Sequence, residues 1–184
     1  KSLYILNVYL PHQNCKISDF KLCVDELEHV ICECSNGEIF IIGDTNCNFS
    51  DEYGDRFSGK TTSNAKYLWT LLNRYGLEII DGYSDKCTGP CYSFNVDNIG
   101  RSYIDHCILS GGIAAMVNSC MIVDDCVLNT SDHLPLSVSL NITRLTQPSD
   151  GKKMTRVAWG KMSENEIKQR YEKAIEEHID SVHA

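Results

Sequence analysis

Basic charge is scarce in this chain: 17 Lys and Arg stand against 25 Asp and Glu, for a net charge of −8. The deficit is uneven, with nine basic against eighteen acidic residues in 1–140 and eight against seven in 141–184. A protein that holds nucleic acid by charge alone carries a basic footprint, and this composition excludes that mode. Clustered carboxylates can instead hold a divalent cation, which restores local attraction for phosphate. Long apolar runs are also missing. None approaches the roughly 20 residues that cross a bilayer, and no secretory signal pattern opens the chain. The reading is a nuclear or cytoplasmic protein, not secreted and without a membrane partner. The first residue is Lys1 rather than Met and a strand pattern starts at once, as in a processed chain or part of a longer protein. At 42% hydrophobic and 23% charged, the composition is that of a folded domain, and 184 residues suffice for one ordinary core.

Cysteine is the one residue in excess, with ten. The spacings lack a second pair at zinc-site distance: Cys32-Glu-Cys34 is isolated, and Cys87 and Cys91 stand without a partner pair. Cys23 and Cys34 fall on the apolar face of a helical pattern, and Cys107, Cys120 and Cys126 lie in or beside strand-like runs. The expectation is buried free thiols in a reducing compartment. Three Asn-x-Ser/Thr triplets, at Asn48, Asn129 and Asn141, are read as chance in the absence of a secretory signal.

Along the chain, Leu3 to Leu10 alternates two faces and stops at Pro11, as a strand does. Ser18 is the expected cap of a helix with Phe20, Cys23, Val24, Leu27, Ile31 and Cys34 inward, closed by Asn36-Gly37. Glu38–Ile42 is a short, nearly all-apolar strand of the kind covered on both faces. Asp51–Asn64 reads as a surface loop. Ser63 is the expected cap of a second helix, which buries Ala65, Leu68, Leu71, Leu72 and Tyr75 and ends at Gly76. Further strands are expected at 77–80, 91–94, 103–109 and 116–123, with loops at 81–90 and at Ser110-Gly-Gly112. The alternation of Leu134, Leu136, Val138, Leu140 and Ile142 gives a last strand that buries one face. Strands interleaved with two helices indicate a layered α/β or α+β domain over 1–143. Residues 144–162 have linker composition. Ser163 and Glu166 form a capping box for a charged amphipathic helix over 163–184, which leads towards a following domain.

Three acidic motifs lie at strand edges: Gly43-Asp-Thr-Asn46, Ser102-Tyr-Ile-Asp-His106 and Asn129-Thr-Ser-Asp-His-Leu-Pro-Leu136. Histidine exchanges protons near neutral pH, so the adjacent Asp132 and His133 suit acid–base work, although an isolated Asp-His pair is more often a turn. If the strand continues through the first motif, Asp44 and Asn46 point the same way and address one ligand; an Asx-type turn suits the same residues. Three such motifs together look like one site assembled from separated segments.

Tyr4-Ile-Leu-Asn-Val-Tyr-Leu-Pro11, Ile41-Ile-Gly-Asp-Thr-Asn46, Tyr103-Ile-Asp105 and Ser131-Asp-His133 resemble, in order and spacing, the motifs of the endonuclease/exonuclease/phosphatase superfamily. Within it, residues 3–142 look most like the apurinic/apyrimidinic-type endonuclease of LINE-type (non-LTR) retrotransposons. The segment after them resembles the connection to a reverse transcriptase. The resemblance implies a two-sheet α/β sandwich of the deoxyribonuclease I-like kind, N-terminally truncated, that hydrolyses phosphodiesters of DNA with Mg2+ or Mn2+. It assigns phosphate contact to Tyr9, water activation to Asp44, phosphate holding to Asn46 and histidine orientation to Asp105. Asp132 falls at the metal side, with Asp44 sharing the ion, and His133 faces the scissile phosphate. Two departures stand out. The family's metal-binding glutamate and an earlier asparagine precede the strand that opens this chain, and nothing before Leu3 supplies them. Tyr103 replaces a residue that is basic in many members. The isolated chain is therefore expected to bind magnesium poorly and to nick DNA slowly or not at all. Superfamily phosphatases and phosphodiesterases acting on small phosphoesters or lipids keep similar motifs and form the alternative, with a non-catalytic remnant as the third.

Overall fold

The alternating first stretch forms β1 (Leu3–Tyr9), which pairs in parallel with β2 (Glu38–Asp44) in the computed structural model. That structure describes residues 2–96, 100–127 and 129–142, all within one unit, Lys1–Thr143. The linker and helix expected over 144–184 lie outside the described residues. Between the two strands runs α1 (Ile17–Glu33), which buries Phe20, Val24, Leu27 and Ile31 on one stripe. Its cap is not Ser18 but Lys16, in extended conformation and without a side-chain hydrogen bond; the Ser18 hydroxyl donates to Asp19 Oδ1 inside the first turn. The helix ends at Glu33, with Cys34 at its C-cap, before Asn36-Gly37 is reached.

Past β2, the loop expected over 51–64 contains a 3-10 turn, Asp51–Tyr53, and then α2 (Ser63–Tyr75) begins. Thr62, one residue before the expected cap, takes that role: its extended backbone lets the hydroxyl accept the Ala65 N–H at 3.2 Å. Gly76 closes α2 with φ 61°, the left-handed conformation that glycine adopts without steric cost. The chain then forms β3 (Leu77–Ile79), β4 (Cys87–Thr88), the hairpin β5 (Phe94–Val96) and β6 (Gly100–Ser102), and β7 (Asp105–Ser110). The short α3 (Gly111–Ala114), β8 (Val117–Ile122) and β9 (Leu136–Leu140) complete the described residues. The strand expected over 91–94 thus starts at Phe94, and the loops expected at 81–90 and 110–112 contain β4 and the start of α3.

The four-stranded sheet has the order β1-β2-β7-β3, and a second sheet the order β4-β8-β9. Strand alternation divides the core in two. Ile39, Ile41, Ile79 and Ile108 face α1 and α2, together with Phe20, Val24, Leu68 and Leu72. Phe40, Cys107 and Leu109 face the other way, onto Cys120, Val138 and Leu140 of the second sheet. β2 is therefore covered on both faces, as its nearly unbroken apolar run requires, and the result is a two-sheet α/β sandwich. All ten cysteines are free thiols; Cys34, Cys47, Cys87, Cys107 and Cys120 are buried, while Cys15, Cys32, Cys91 and Cys126 are exposed. No helix among the described residues is long and apolar enough to cross a membrane.

Candidate active site

Strand register builds the site. Tyr9 lies opposite Asp44 in the β1–β2 ladder, and Asp44 opposite Asp105 in the β2–β7 ladder, so the three form one row across the sheet. Gly43 permits the close approach of β1 and β2 just before that row. Its φ is 140°, and a Cβ there would lie 2.1 Å from the Val8 carbonyl oxygen. After Asp44 the extended backbone stops, because Asn46 has φ 51°. The strand therefore does not continue through Gly-Asp-Thr-Asn, although Asp44 and Asn46 still line one cleft. The Asn46 N–H donates to Asp44 Oδ1 at 2.9 Å, an Asx-type turn, and the Asn46 amide also reaches Asp44 Oδ2 at 3.1 Å.

The amide's second donor goes to the Leu10 carbonyl at 2.8 Å. That carbonyl can only accept, which fixes the amide orientation and engages both of its hydrogens. Asn46 thus orients Asp44 and ties it to the end of β1. Burial, helped by the neighbouring Asp105 charge, raises the Asp44 pKa above the ordinary carboxylate value, against the opposing Asn46 hydrogen bond. The carboxylate is a stronger base than an exposed one.

The third motif docks against the hairpin. Phe94 forms a bridge with His133, the Asn95 N–H donates to the Asp132 carbonyl at 2.8 Å, and the Leu134 N–H donates to the Ser93 carbonyl at 2.7 Å. Buried Ser93 also accepts the Ile104 and Asp105 N–H groups through its hydroxyl, at 3.1 and 2.9 Å. Within the motif, Ser131 Oγ accepts the His133 N–H and the Asn129 amide donates to the His133 carbonyl. These local bonds present the imidazole, whose Nδ1 meets Asp105 Oδ2 at 2.8 Å. Partial burial disfavours the charged ring. The hydrogen bond to Asp105 and the charges of Asp105, Asp44 and Asp132 outweigh it, and the His133 pKa is raised.

Tyr9, Asp44, Asn46, Asp132 and His133 line one cleft of about 430 Å³, with Asp105 behind the histidine. Tyr9 is 77% exposed, at the cleft rim. Sequence reading missed Asn48, His12, Asn14 and Phe94, which line the same space. The position of His12 and Asn14, directly after the Pro11 that ends β1, was a usable signal. Phe94 reaches the site only through tertiary pairing, with its ring 5.1 Å from His133.

As donors for a divalent cation the cleft offers Asp44 and Asp132. No group of three or more His, Cys, Asp or Glu side chains among the described residues is placed to hold an ion. Asp44 is also committed twice to Asn46. Among the described residues the cleft thus brings two carboxylates together.

The sandwich has the fold seen in solved structures of the endonuclease/exonuclease/phosphatase superfamily. Solved structures carry this statement. A Neisseria 3′ phosphatase, NExo, bound to a product DNA hairpin is similar with a TM-score of 0.60 and 16% identity, over 75% of this chain and 61% of that one. The endonuclease domain of TRAS1, a telomere-specific non-LTR retrotransposon, gives 0.54 and 16%, over 74% and 57%. An AP endonuclease from Archaeoglobus fulgidus gives 0.55 and 14%, over 76% and 62%. This chain therefore spans about three fifths of the length of these proteins. No known family profile and no curated protein matches the sequence.

The Asp105–His133 contact makes a testable statement about pH. A raised pKa keeps the imidazole protonated further up the pH scale, so any step that uses the charged ring fades as pH rises through the folded value. Asp105→Asn removes the favourable charge and should lower the His133 pKa in metal-free buffer, moving that fade to lower pH. Ring-proton NMR titration of wild type and variant measures both midpoints, and equal midpoints would refute the pairing.

Proposed function

We propose that this chain is the C-terminal part of a hydrolase that cleaves phosphodiesters with the help of a divalent metal, and that its substrate is DNA nicked by a retrotransposon-type endonuclease. One observation carries the reading: the Tyr9–Asp44–Asp105 row, the Asn46-oriented carboxylate and the Asp105-paired His133 converge on one cleft. In-line attack on a phosphodiester needs an activated water, neutralised phosphoryl charge and protonation of the leaving oxygen. Asp44, with its raised pKa, takes or orients the water proton. His133, whose pKa Asp105 raises, would face the phosphate and, when protonated, supply positive charge in the cleft. The Tyr9 hydroxyl can donate to a phosphoryl oxygen at the rim. A bound magnesium or manganese ion would add Lewis-acid neutralisation of the phosphoryl oxygens, with Asp44 and Asp132 as its ligands from this chain.

The DNA substrate and the retrotransposon context draw on the likeness to the TRAS1 and NExo structures, and a reverse transcriptase domain downstream belongs to the same proposal. A terminal 3′-phosphate, as for the 3′ phosphatase NExo, is the alternative substrate. The test is nicking of supercoiled plasmid by purified residues 1–184, and by the same chain extended through any upstream coding sequence. With only two carboxylates for the ion, 1–184 should nick at least about a hundredfold more slowly than the extended protein, as misalignment on the order of 1 Å already costs that much. EDTA should abolish both activities. Robust nicking by 1–184, lost on Asp44→Ala, would show that the metal centre is complete within the chain. No metal-dependent cleavage of plasmid or 3′-phosphate by the extended protein would overturn the hydrolase reading.

A further inference from the structure

His106 follows Asp105 in β7 but points to the opposite face, where it is completely buried. Its Nδ1 lies 2.8 Å from Asp81 Oδ2 and its Nε2 lies 3.0 Å from the Cys47 carbonyl. A carbonyl only accepts, so Nε2 carries a hydrogen. The Asp81 carboxylate accepts the Cys107 N–H through its other oxygen at 2.6 Å. Three rings enclose the imidazole: Phe49 and Phe57 meet it edge-on at 5.3 and 5.4 Å, and Tyr103 stacks on it at 5.5 Å. An aromatic face at that distance favours a cation.

The pin joins two pieces of the site. Cys47 directly follows Asn46, and His106 directly follows Asp105, so one rigid ring ties the backbone behind one residue to the backbone behind the other. Thr45 makes the second tie, its N–H and hydroxyl both donating to the Ile104 carbonyl at 2.9 and 3.1 Å. We infer that His106 is a buried imidazolium whose Nδ1–H is anchored on Asp81 and whose Nε2–H, on the Cys47 carbonyl, fixes the separation of the segments carrying Asn46 and Asp105, which makes it a positioning residue for the site. That this site is catalytic rests on the reading above; the pin itself does not. The titratable groups against the ring are Asp81 and Tyr103, with Asp105 and Asp44 further off and Arg56 5.9 Å from the Tyr103 ring centre. Burial opposes the charged ring, but the Asp81 charge and hydrogen bond, with the Cys47 carbonyl and Asp105, raise the His106 pKa.

The experiment is histidine-selective 15N NMR of residues 1–184, which needs no enzymatic activity, so its failure and that of the hydrolase reading are separable. At neutral pH, above histidine's ordinary pKa of about 6.5, both His106 ring nitrogens should be protonated and slowly exchanging. Asp81→Asn keeps an acceptor for the Cys107 N–H and can donate to Nδ1. In it the ring should become neutral, with only Nε2 protonated, while the Asn46 side-chain amide stays protected. His106→Ala should accelerate exchange of that amide at least tenfold; His106→Gln, which cannot hold Asp81 and Cys47 at the ring's spacing, serves if the alanine variant does not fold. A singly protonated wild-type ring at neutral pH would overturn the imidazolium. Unchanged Asn46 amide exchange in a folded His106 variant would overturn the positioning role.

Discussion

His133→Ala in a nicking-competent form of the protein should lower the cleavage rate by about 10²- to 10⁴-fold, the usual contribution of a positioned acid–base group. The side chain sits on a turn whose own hydrogen bonds run through the backbone and Ser131 and Asn129, so its removal leaves the fold intact. What is lost is the imidazole held against Asp105 in the cleft. Asp105→Asn should cost less than His133→Ala at low pH, where the ring is charged even without its partner, and approach the same loss as pH rises. Single-turnover nicking of supercoiled plasmid across a pH series measures both. A loss under threefold for His133→Ala would remove the histidine from the mechanism.

The second large effect is on stability. Arg56 is buried and donates to five backbone carbonyls: Asp81 at 3.0 Å, Cys87 at 3.0 Å, Thr88 at 3.5 Å, Gly89 at 3.2 Å and Pro90 at 2.7 Å. It thereby closes the 81–90 segment without a carboxylate partner, and Tyr103 adds its hydroxyl to the same Asp81 carbonyl at 2.8 Å. Arg56→Met keeps much of the apolar stem but strands buried carbonyls, each of which costs about 1–3 kcal/mol when left unpaired. A loss of about 3 kcal/mol or more in urea unfolding is expected. Arg56→Lys should rescue little, because one ammonium cannot span the fork of acceptors. A change below about 1 kcal/mol, within the range of an ordinary surface substitution, would show that water satisfies these carbonyls in the variant.

Much of the architecture was legible along the chain because it depends on periodicity. The unbroken apolar run of β2 required cover on both faces, and helical spacing in α1 and α2 gave their buried stripes. Caps were read less well. Ser18 and Ser63 satisfy the composition rule, yet the cap is the residue whose backbone is extended where the helix starts, and tertiary docking selects Lys16 and Thr62. The hairpin strand Gly100–Ser102 escaped because three polar residues carry no pattern; its pairing with Phe94–Val96 defines it.

The sequence by itself determined the three motifs with their residue types and, through local order and alternation, a layered α/β or α+β domain; the two-sheet sandwich was implied by the resemblance of those motifs to a known superfamily. Only the tertiary structure decided their working relations. Register across three strands put Tyr9, Asp44 and Asp105 in one row, residues that no spacing rule connects. Two histidines each adjoin an aspartate in the chain, yet each pairs with a different one. His133 turns to Asp105 rather than Asp132, and His106 turns away from Asp105 to Asp81. For Asp105 and His106 the reason is strand geometry, since neighbouring side chains on β7 point to opposite faces; His133 lies on a turn bridged to Phe94, and that docking lays its ring against Asp105.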